Sequence, residues 1–315
     1  MQYINACGYD SQHMKLLLVF NPRAGAGRAA RLLAPIQQSL GSFAEVELLQ
    51  TGRAGEARER VAVTDLADYD GVLSAGGDGT LFEVVNGLFV HDGDKRVPLG
   101  VIPVGTGNAF ARDLDLMPGD WQGALEIVRA AHTREVDVGA VENSLGDSFY
   151  FLNIVGCGLP VDAMHIARRL KFIGNSAYTA GTLWQAMRLR SYAFEVEADG
   201  RRIDQDSLFI EVSNTRYTGT TFLIAPDAKL DDGLLDVTLV SRMKRTRLLR
   251  LFPTIYQGKH VGFPEVTTLQ AREIRLKMPA KMPLAPDGEI HGETPVIIRC
   301  LPRALDVFFT KKGSE

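Results

Sequence analysis

A chain of 315 residues with 45% hydrophobic and 23% charged residues has the composition of a globular protein of about two domains. Its formal net charge of −3 argues against a general nucleic-acid binder, which carries a basic footprint. No apolar run reaches the ~18 residues of a membrane helix, and the scattered Cys7, Cys157 and Cys300 form no CxxC pair, which excludes a zinc knuckle and a disulfide framework.

A reducing cytoplasm is therefore expected. The opening MQYINACGYDSQHM lacks a basic segment followed by an apolar one, so it does not read as a signal peptide. Residues 1–13 are expected to be an extension without a core role.

From Met14 the chain alternates strand and helix signals. Lys15–Phe20 (KLLLVF) is an unbroken apolar run suited to a strand buried on both faces. A helix is expected over Ala29–Leu40, a strand over Glu45–Gln50 and an amphipathic helix over Glu56–Leu66. Gly71–Ala75 is a strand, then a helix runs from Thr80 to about Leu88. Leu99–Pro103 is a further strand, and Asp120 caps a helix to Ala131. This alternation predicts a doubly wound, mainly parallel sheet in an α/β domain over residues 14–134.

From Glu135 strand signals dominate: Glu135–Val141, Ser148–Ile154, Tyr192–Ala198, Ser207–Ser213, Leu234–Val240, Glu273–Lys277 and Val296–Leu301. Asp199-Gly200 is a tight-turn signal. Helices are expected at Asn175–Arg190 and Lys244–Gln257. A second domain of mainly antiparallel strands is expected over 135–303, and the run Ala304–Thr310, within 304–315, returns to the first.

Three glycine-rich turns follow strands. The first, Asn21-Pro22-Arg23-Ala24-Gly25-Ala26-Gly27, matches the dinucleotide fingerprint poorly: four residues separate strand from glycine, and the second strand ends without an acid for a ribose. A Walker-type phosphate loop is absent. The second turn is Gly76-Gly77-Asp78-Gly79-Thr80. Its glycines permit close backbone approach, and its amides with the following helix N-terminus suit a polyphosphate. Asp78 would repel that phosphate unless a cation bridges them, which implies Mg²⁺. The plainer alternative is a tight turn with Asp78 as a helix cap. The third turn, Pro103-Val104-Gly105-Thr106-Gly107-Asn108, also opens a helix. Two such turns at strand carboxyl ends converge on one crevice of an open α/β sheet.

NPRAGAG, GGDGT with EVVNGL, and PVGTGNAFARDL, in this order, resemble the catalytic domain shared by diacylglycerol kinases and sphingosine kinases, in particular the bacterial lipid kinases of that superfamily. The resemblance spans about Lys15 to Thr310. It implies an ATP- and Mg-dependent lipid kinase with a diacylglycerol-like acceptor. By this resemblance Gly76, Gly77, Asp78, Gly79 and Thr80 hold the ATP phosphates, and Asn21, Thr51 and Thr106 line the nucleotide site. Gly107 and Asn108 of the third turn, and Glu83 in the helix after GGDGT, are placed at the nucleotide site by the same resemblance, and Asn86 matches that helix. In Ala225–Asp236 adjacent carboxylates need a cation or solvent. The resemblance places a structural Mg²⁺ there, on Asp232 and the carbonyls of Lys229 and Leu234. In Pro286-Asp287-Gly288-Glu289 two carboxylates bracket a glycine. A strand there would put both on one face; a hairpin turn is the alternative. The resemblance makes Asp287 the general base, with Glu289 as the rival, and brings Asp78 to the catalytic Mg²⁺. Leu284-Ala285 departs from the family's more polar approach to this turn.

The basic and apolar runs Arg168–Lys171 and Lys244–Arg250 read as solvated helix faces or, for a lipid kinase, as a peripheral contact with the inner face of the membrane. Tyr178, Leu183, Trp184 and Met187 suit the core or an acyl-chain pocket. Two other functions compete. A NAD kinase shares GGDGT but carries a GSTAY-like segment absent here. An inactive lipid-binding regulator would have no need of Asp78, Asp232, Asp287 and Glu289. A homodimer is left open.

Overall fold

The computed structural model describes residues 14–90, 97–169, 190–219 and 221–310. The expected extension 1–13 and the expected helix from Asn175, with Tyr178, Leu183, Trp184 and Met187, lie outside these residues, as does Lys171 of the first basic run.

The first half builds β1 (Met14–Phe20), α1 (Leu33–Leu40), β2 (Ala44–Gln50), α2 (Glu56–Val63), β3 (Gly71–Gly76), α3 (Asp78–Leu88), β4 (Leu99–Pro103), α4 (Ala109–Asp113) and α5 (Trp121–Ala130). The strands pair in parallel in the order β2-β1-β3-β4. Leu16, Leu17, Leu18 and Phe20 are fully enclosed, and each such side chain contributes roughly 1.5–3 kcal/mol. Asp120 caps α5 as expected, accepting from Gly123 N at 2.9 Å. The helix expected from Ala29 begins as an α-helix only at Leu33. Ala24–Leu32 forms 3-10 turns, because Gly25, Ala26 and Gly27 take positive φ.

The second half adds β5 (Thr133–Asn143), β6 (Ser148–Phe151), β7 (Ile154–Gly158), α6 (Leu159–Arg169), β8 (Tyr192–Ala198), β9 (Arg201–Ser213), β10 (Tyr217–Thr218), β11 (Phe222–Leu223), β12 (Leu235–Ser241), α7 (Arg245–Leu251), β13 (Val266–Ala271), β14 (Glu273–Lys277), β15 (Leu284–Pro286) and β16 (Val296–Phe308). Pairing among β5–β9 and β12–β16 is antiparallel. The expected fold class is what the structure has: a mainly parallel α/β part and an antiparallel β part. Strand β8 alternates buried and exposed residues, the period of a strand with one packed face.

Three expected elements are revised. The strand Ser148–Ile154 is broken at Leu152-Asn153, where three backbone amides turn towards one carboxylate, described below. The helix expected over Lys244–Gln257 stops at Leu251, with 3-10 turns over Phe252–Gln257; Pro253 cannot continue the α-helical ladder. Val296–Leu301 and Ala304–Thr310 join as the single strand β16. It pairs antiparallel with β5 and β14 and, at Val307, parallel with Leu99 of β4, so one sheet runs through both halves.

Side chains also tie the halves together. Asn86 on α3 donates to Tyr150 O and accepts from Tyr150 N on β6, at 2.8 and 2.9 Å. Arg216 Nε lies 2.6 Å from Asp113 Oδ1 at the end of α4.

Candidate active site

The second and third glycine turns interlock. Gly105 N donates to Gly76 O at 2.7 Å, and Asp78 N donates to Gly107 O at 3.1 Å. A Cβ on Gly105 would lie 2.3 Å from Gly77 Cα, so only glycine permits the contact. Asn108 Nδ2 holds the third turn through Gly105 O at 2.9 Å, and the backbone N of Thr106 faces Gly77. Asn21 Nδ2 donates to Thr80 Oγ1 at 2.9 Å, which joins the first turn to the second. Thr51 is buried at the end of β2, its N–H donating to Phe20 O at 2.9 Å.

Glu83 does not present its carboxylate to this crevice. Its Oε1 accepts from Gly55 N at 2.7 Å and its Oε2 from Ala57 N at 3.1 Å. It therefore caps α2 and fixes the segment after Thr51, a positioning role.

Asp78 stands in the first turn of α3, two residues earlier than that helix was expected to begin. Its Oδ1 accepts from Ala109 N at 2.8 Å, and a Cβ on Gly107 would meet its Oδ2 at 2.6 Å. Burial between the two turns pushes its carboxyl up to about 7, against the pull of Ala109 N; the charge of Asp287 adds to the rise.

Strand β15 ends at Pro286, and Asp287–Glu289 form a turn instead of continuing it. Asp287 and Gly288 have φ of 44° and 81°, and Glu289 N donates to Pro286 O at 2.7 Å. The two carboxylates consequently diverge, contrary to the shared face of a strand. Asp287 is buried: Oδ1 accepts from the N–H groups of Asn153 (2.9 Å) and Ile154 (3.0 Å), and Oδ2 from Leu152 N–H (3.0 Å). Burial pushes its carboxyl up to about 6, opposed by those amides and by the Asn153 side chain. Oδ1 carries two donors and Oδ2 one, so Oδ2 keeps a lone pair for a further donor. Glu289 lies instead over the start of α3, where a Cβ on Gly79 would meet its Oε1 at 2.6 Å.

The turn from Lys229 to Leu234 is anchored by a residue that sequence reasoning missed. Asp137, fully buried on β5, accepts from Gly233 N at 2.6 Å and Arg303 N at 2.7 Å. Asp137 N in turn donates to Leu230 O at 2.6 Å. Asp232 is exposed, with Oδ1 accepting from Leu234 N at 3.1 Å. Burial pushes Asp236 up to about 6, and the charges of Asp232 and Asp227 push the same way, so the carboxylates there repel one another. A hard divalent cation suits such an oxygen-rich set. Among the described residues no cluster of three or more His, Cys, Asp or Glu side chains forms a metal site. Asn153 and Asn214 were also missed; the signal was a polar residue inside an apolar strand run, FLNIVG and FIEVSN.

A doubly wound α/β half with interlocked phosphate-type turns, facing acids from an antiparallel β half, defines a kinase scaffold. Residues 15–141 match the family described as diacylglycerol kinase catalytic domain, and residues 153–309 match the YegS C-terminal NAD kinase beta sandwich-like domain. A diacylglycerol kinase of Mycobacterium tuberculosis is 33% identical over 302 residues, covering 95% of this chain and 96% of that one. A diacylglycerol kinase of Bacillus subtilis is 30% identical, covering 95% and 97%. The crystal structure of a putative diacylglycerol kinase from Bacillus anthracis superposes with a TM-score of 0.78 at 25% identity, covering 95% and 98%. The chain belongs to the diacylglycerol kinase family and is a lipid kinase.

Proposed function

We propose that the protein transfers the γ-phosphoryl group of ATP, with Mg²⁺, to the hydroxyl of a diacylglycerol-like lipid. The observation that carries this reading is the placement of Asp78, Asp287 and Glu289 around one glycine-lined crevice. The amides of Gly76–Thr80 and the N-terminus of α3 cradle the donor phosphates. Asn21, Thr51, Thr106, Gly107 and Asn108 shape the walls of the nucleotide site, and Glu83 holds α2 in place. The free lone pair of Asp287 Oδ2 accepts the acceptor's hydroxyl proton as its oxygen bonds to phosphorus and the bond to the β-phosphate bridge breaks. A carboxyl near 6 is ionised at neutral pH yet still basic. Asp78 and Glu289 flank the phosphates and fit Mg²⁺, which when bound neutralises phosphate charge. The mutual repulsion of Asp78 and Asp287 supports a divalent cation between them. Asp232, with the carbonyls of Lys229 and Leu234, would hold a second, structural Mg²⁺.

No helix among the described residues is long and apolar enough to cross a membrane. Contact with the inner membrane face would use α7 and the 3-10 turns after it, which expose Leu249 and Tyr256 as well as Lys244, Arg245 and Arg250.

The test is phosphate transfer from radiolabelled ATP with Mg²⁺ to lipids in mixed micelles, with NAD as a competing acceptor and Asp287→Ala as control. Label in diacylglycerol that is absent with the variant supports the reading. Label in NAD, or in nothing while lipid still binds, overturns it.

A further inference from the structure

The face of the β half that bears Glu211 carries buried polar atoms without a hydrogen-bond partner among the described residues. Pairing sets Ala285, Gly156, Glu211 and Thr238 in one row across four adjacent strands. The next row holds Ile154, Ser213 and Asp236. Asp287 adjoins that row, because its N–H donates to Ile154 O at 3.0 Å. Residues two apart on a strand share a face, so Glu211 and Ser213 point the same way. With strands roughly 4.8 Å apart, the backbones of Glu211 and Ala285 are about 10 Å apart, and Asp287 is two residues beyond Ala285. Ala285 packs with Val161, Met164 and Ile290 into a small apolar cluster between α6 and the Asp287 turn.

Glu211 is 3% exposed, Ser213 0% and Asn153 2%, so these are core positions. Yet Glu211 Oε2, Ser213 Oγ and Asn153 Oδ1 have no hydrogen-bond partner among the described residues. A buried polar atom left without a partner is destabilising, and an apolar side chain would avoid that cost. Burial pushes the Glu211 carboxyl up to about 8, so at neutral pH it is an acid with an O–H to donate. A neutral acid and a hydroxyl, both unpartnered, form a donor pair for a carbonyl oxygen. They lie on the same face as that apolar cluster, two strands across from Ala285.

We propose that Glu211 and Ser213 form a subsite that donates hydrogen bonds to an acyl-ester carbonyl of the acceptor, so the protein selects an ester-bearing alcohol over a plain or ether-linked one. This rests on the lipid-kinase reading. A site built to hydrogen-bond a substrate group rejects an analogue that lacks it far more strongly than an apolar pocket rejects a missing methylene.

The experiment compares a diester diacylglycerol with its diether analogue, which keeps the chains and the hydroxyl but has no carbonyls. The wild-type kcat/KM ratio of diester to diether is expected to be about tenfold or more. Glu211→Met should bring that ratio near one by lowering the diester value. Glu211→Gln, which keeps a neutral donor, should retain the preference, and Ser213→Ala should weaken it. The KM for ATP should not move in any variant. A wild-type ratio near one overturns the subsite and leaves those atoms to buried water. A Glu211→Met variant that slows both acceptors alike, or neither, also overturns it. Transfer to neither lipid by the wild type overturns the kinase reading itself, and with it the subsite.

Discussion

Gly77 and Gly105 touch backbone to backbone: a Cβ on Gly105 would lie 2.3 Å from the Cα of Gly77. The two turns that line the crevice are thus one unit, closed by the Gly105 N–H to Gly76 O bond. Gly105→Ala is expected to force them apart, costing about 1–3 kcal/mol of stability, as overpacking does. Thermal melts and ATP titrations should show both lower stability and weakened ATP binding. Normal ATP affinity in the variant would refute the unit.

On the proposed function Asp287 has two jobs, and two substitutions separate them. Asp287→Ala should lower kcat about 10²–10⁴-fold through loss of the base. It should also lower the melting temperature, because three buried amides lose their acceptor at about 1–3 kcal/mol each. Asp287→Asn should lose comparable activity but less stability, since its carbonyl oxygen still accepts. Equal melting temperatures for the two variants would show that the amides find other partners.

The activity should depend on pH in one direction at its acid end. Asp287 must be ionised to accept a proton, and its carboxyl is raised to about 6 beside Asp78 at about 7. The kcat/KM should therefore fall as pH drops through this range. The apparent values belong to the coupled pair. Asp78→Asn should reduce the acid limb to a single ionisation, that of Asp287 at about 6.

The stability of the Mg-free protein should run the opposite way from that of a salt-bridged carboxylate. The folded pKa of Asp78 lies above its ordinary value of about 3.9. Its stabilising contribution is complete below that ordinary value and is lost as pH rises through about 7. Glu211, Asp236 and Asp287 are raised in the same direction. The melting temperature of Asp78→Asn should therefore gain on wild type by a few degrees between pH 5 and pH 8 without Mg²⁺. A gap that does not widen with pH would count against a buried, ionising Asp78.

At the Asp232 turn, chelation of divalent cations should lower the wild-type melting temperature and leave Asp232→Asn nearly unaffected. The difference should be largest at neutral pH, where the crowded Asp236 also ionises. Chelation that destabilises both proteins equally would place the cation elsewhere.

The sequence by itself determined the order of elements in the α/β half and the composition of the three glycine turns. Local rules go far there: apolar runs such as KLLLVF suit doubly buried strands, and Gly-Gly-Asp-Gly-Thr after a strand suits a tight turn into a helix. The Asp120 cap and the Asp199-Gly200 turn were legible for the same reason, since each depends on two or three neighbouring residues. Only the tertiary structure decided the rest of the site. Asp287 and the amides of Leu152–Ile154 are more than a hundred residues apart, so neither the broken strand nor the lone pair left on Oδ2 could be read from either segment. Glu83 looked like a ligand and proved to be a cap, because the helix N-terminus it satisfies belongs to another element. Asp137, Glu211 and Ser213 stand out locally only as polar residues inside apolar strand runs, which says nothing of what they do. Their roles come from burial, and burial is set by what the rest of the chain packs over them.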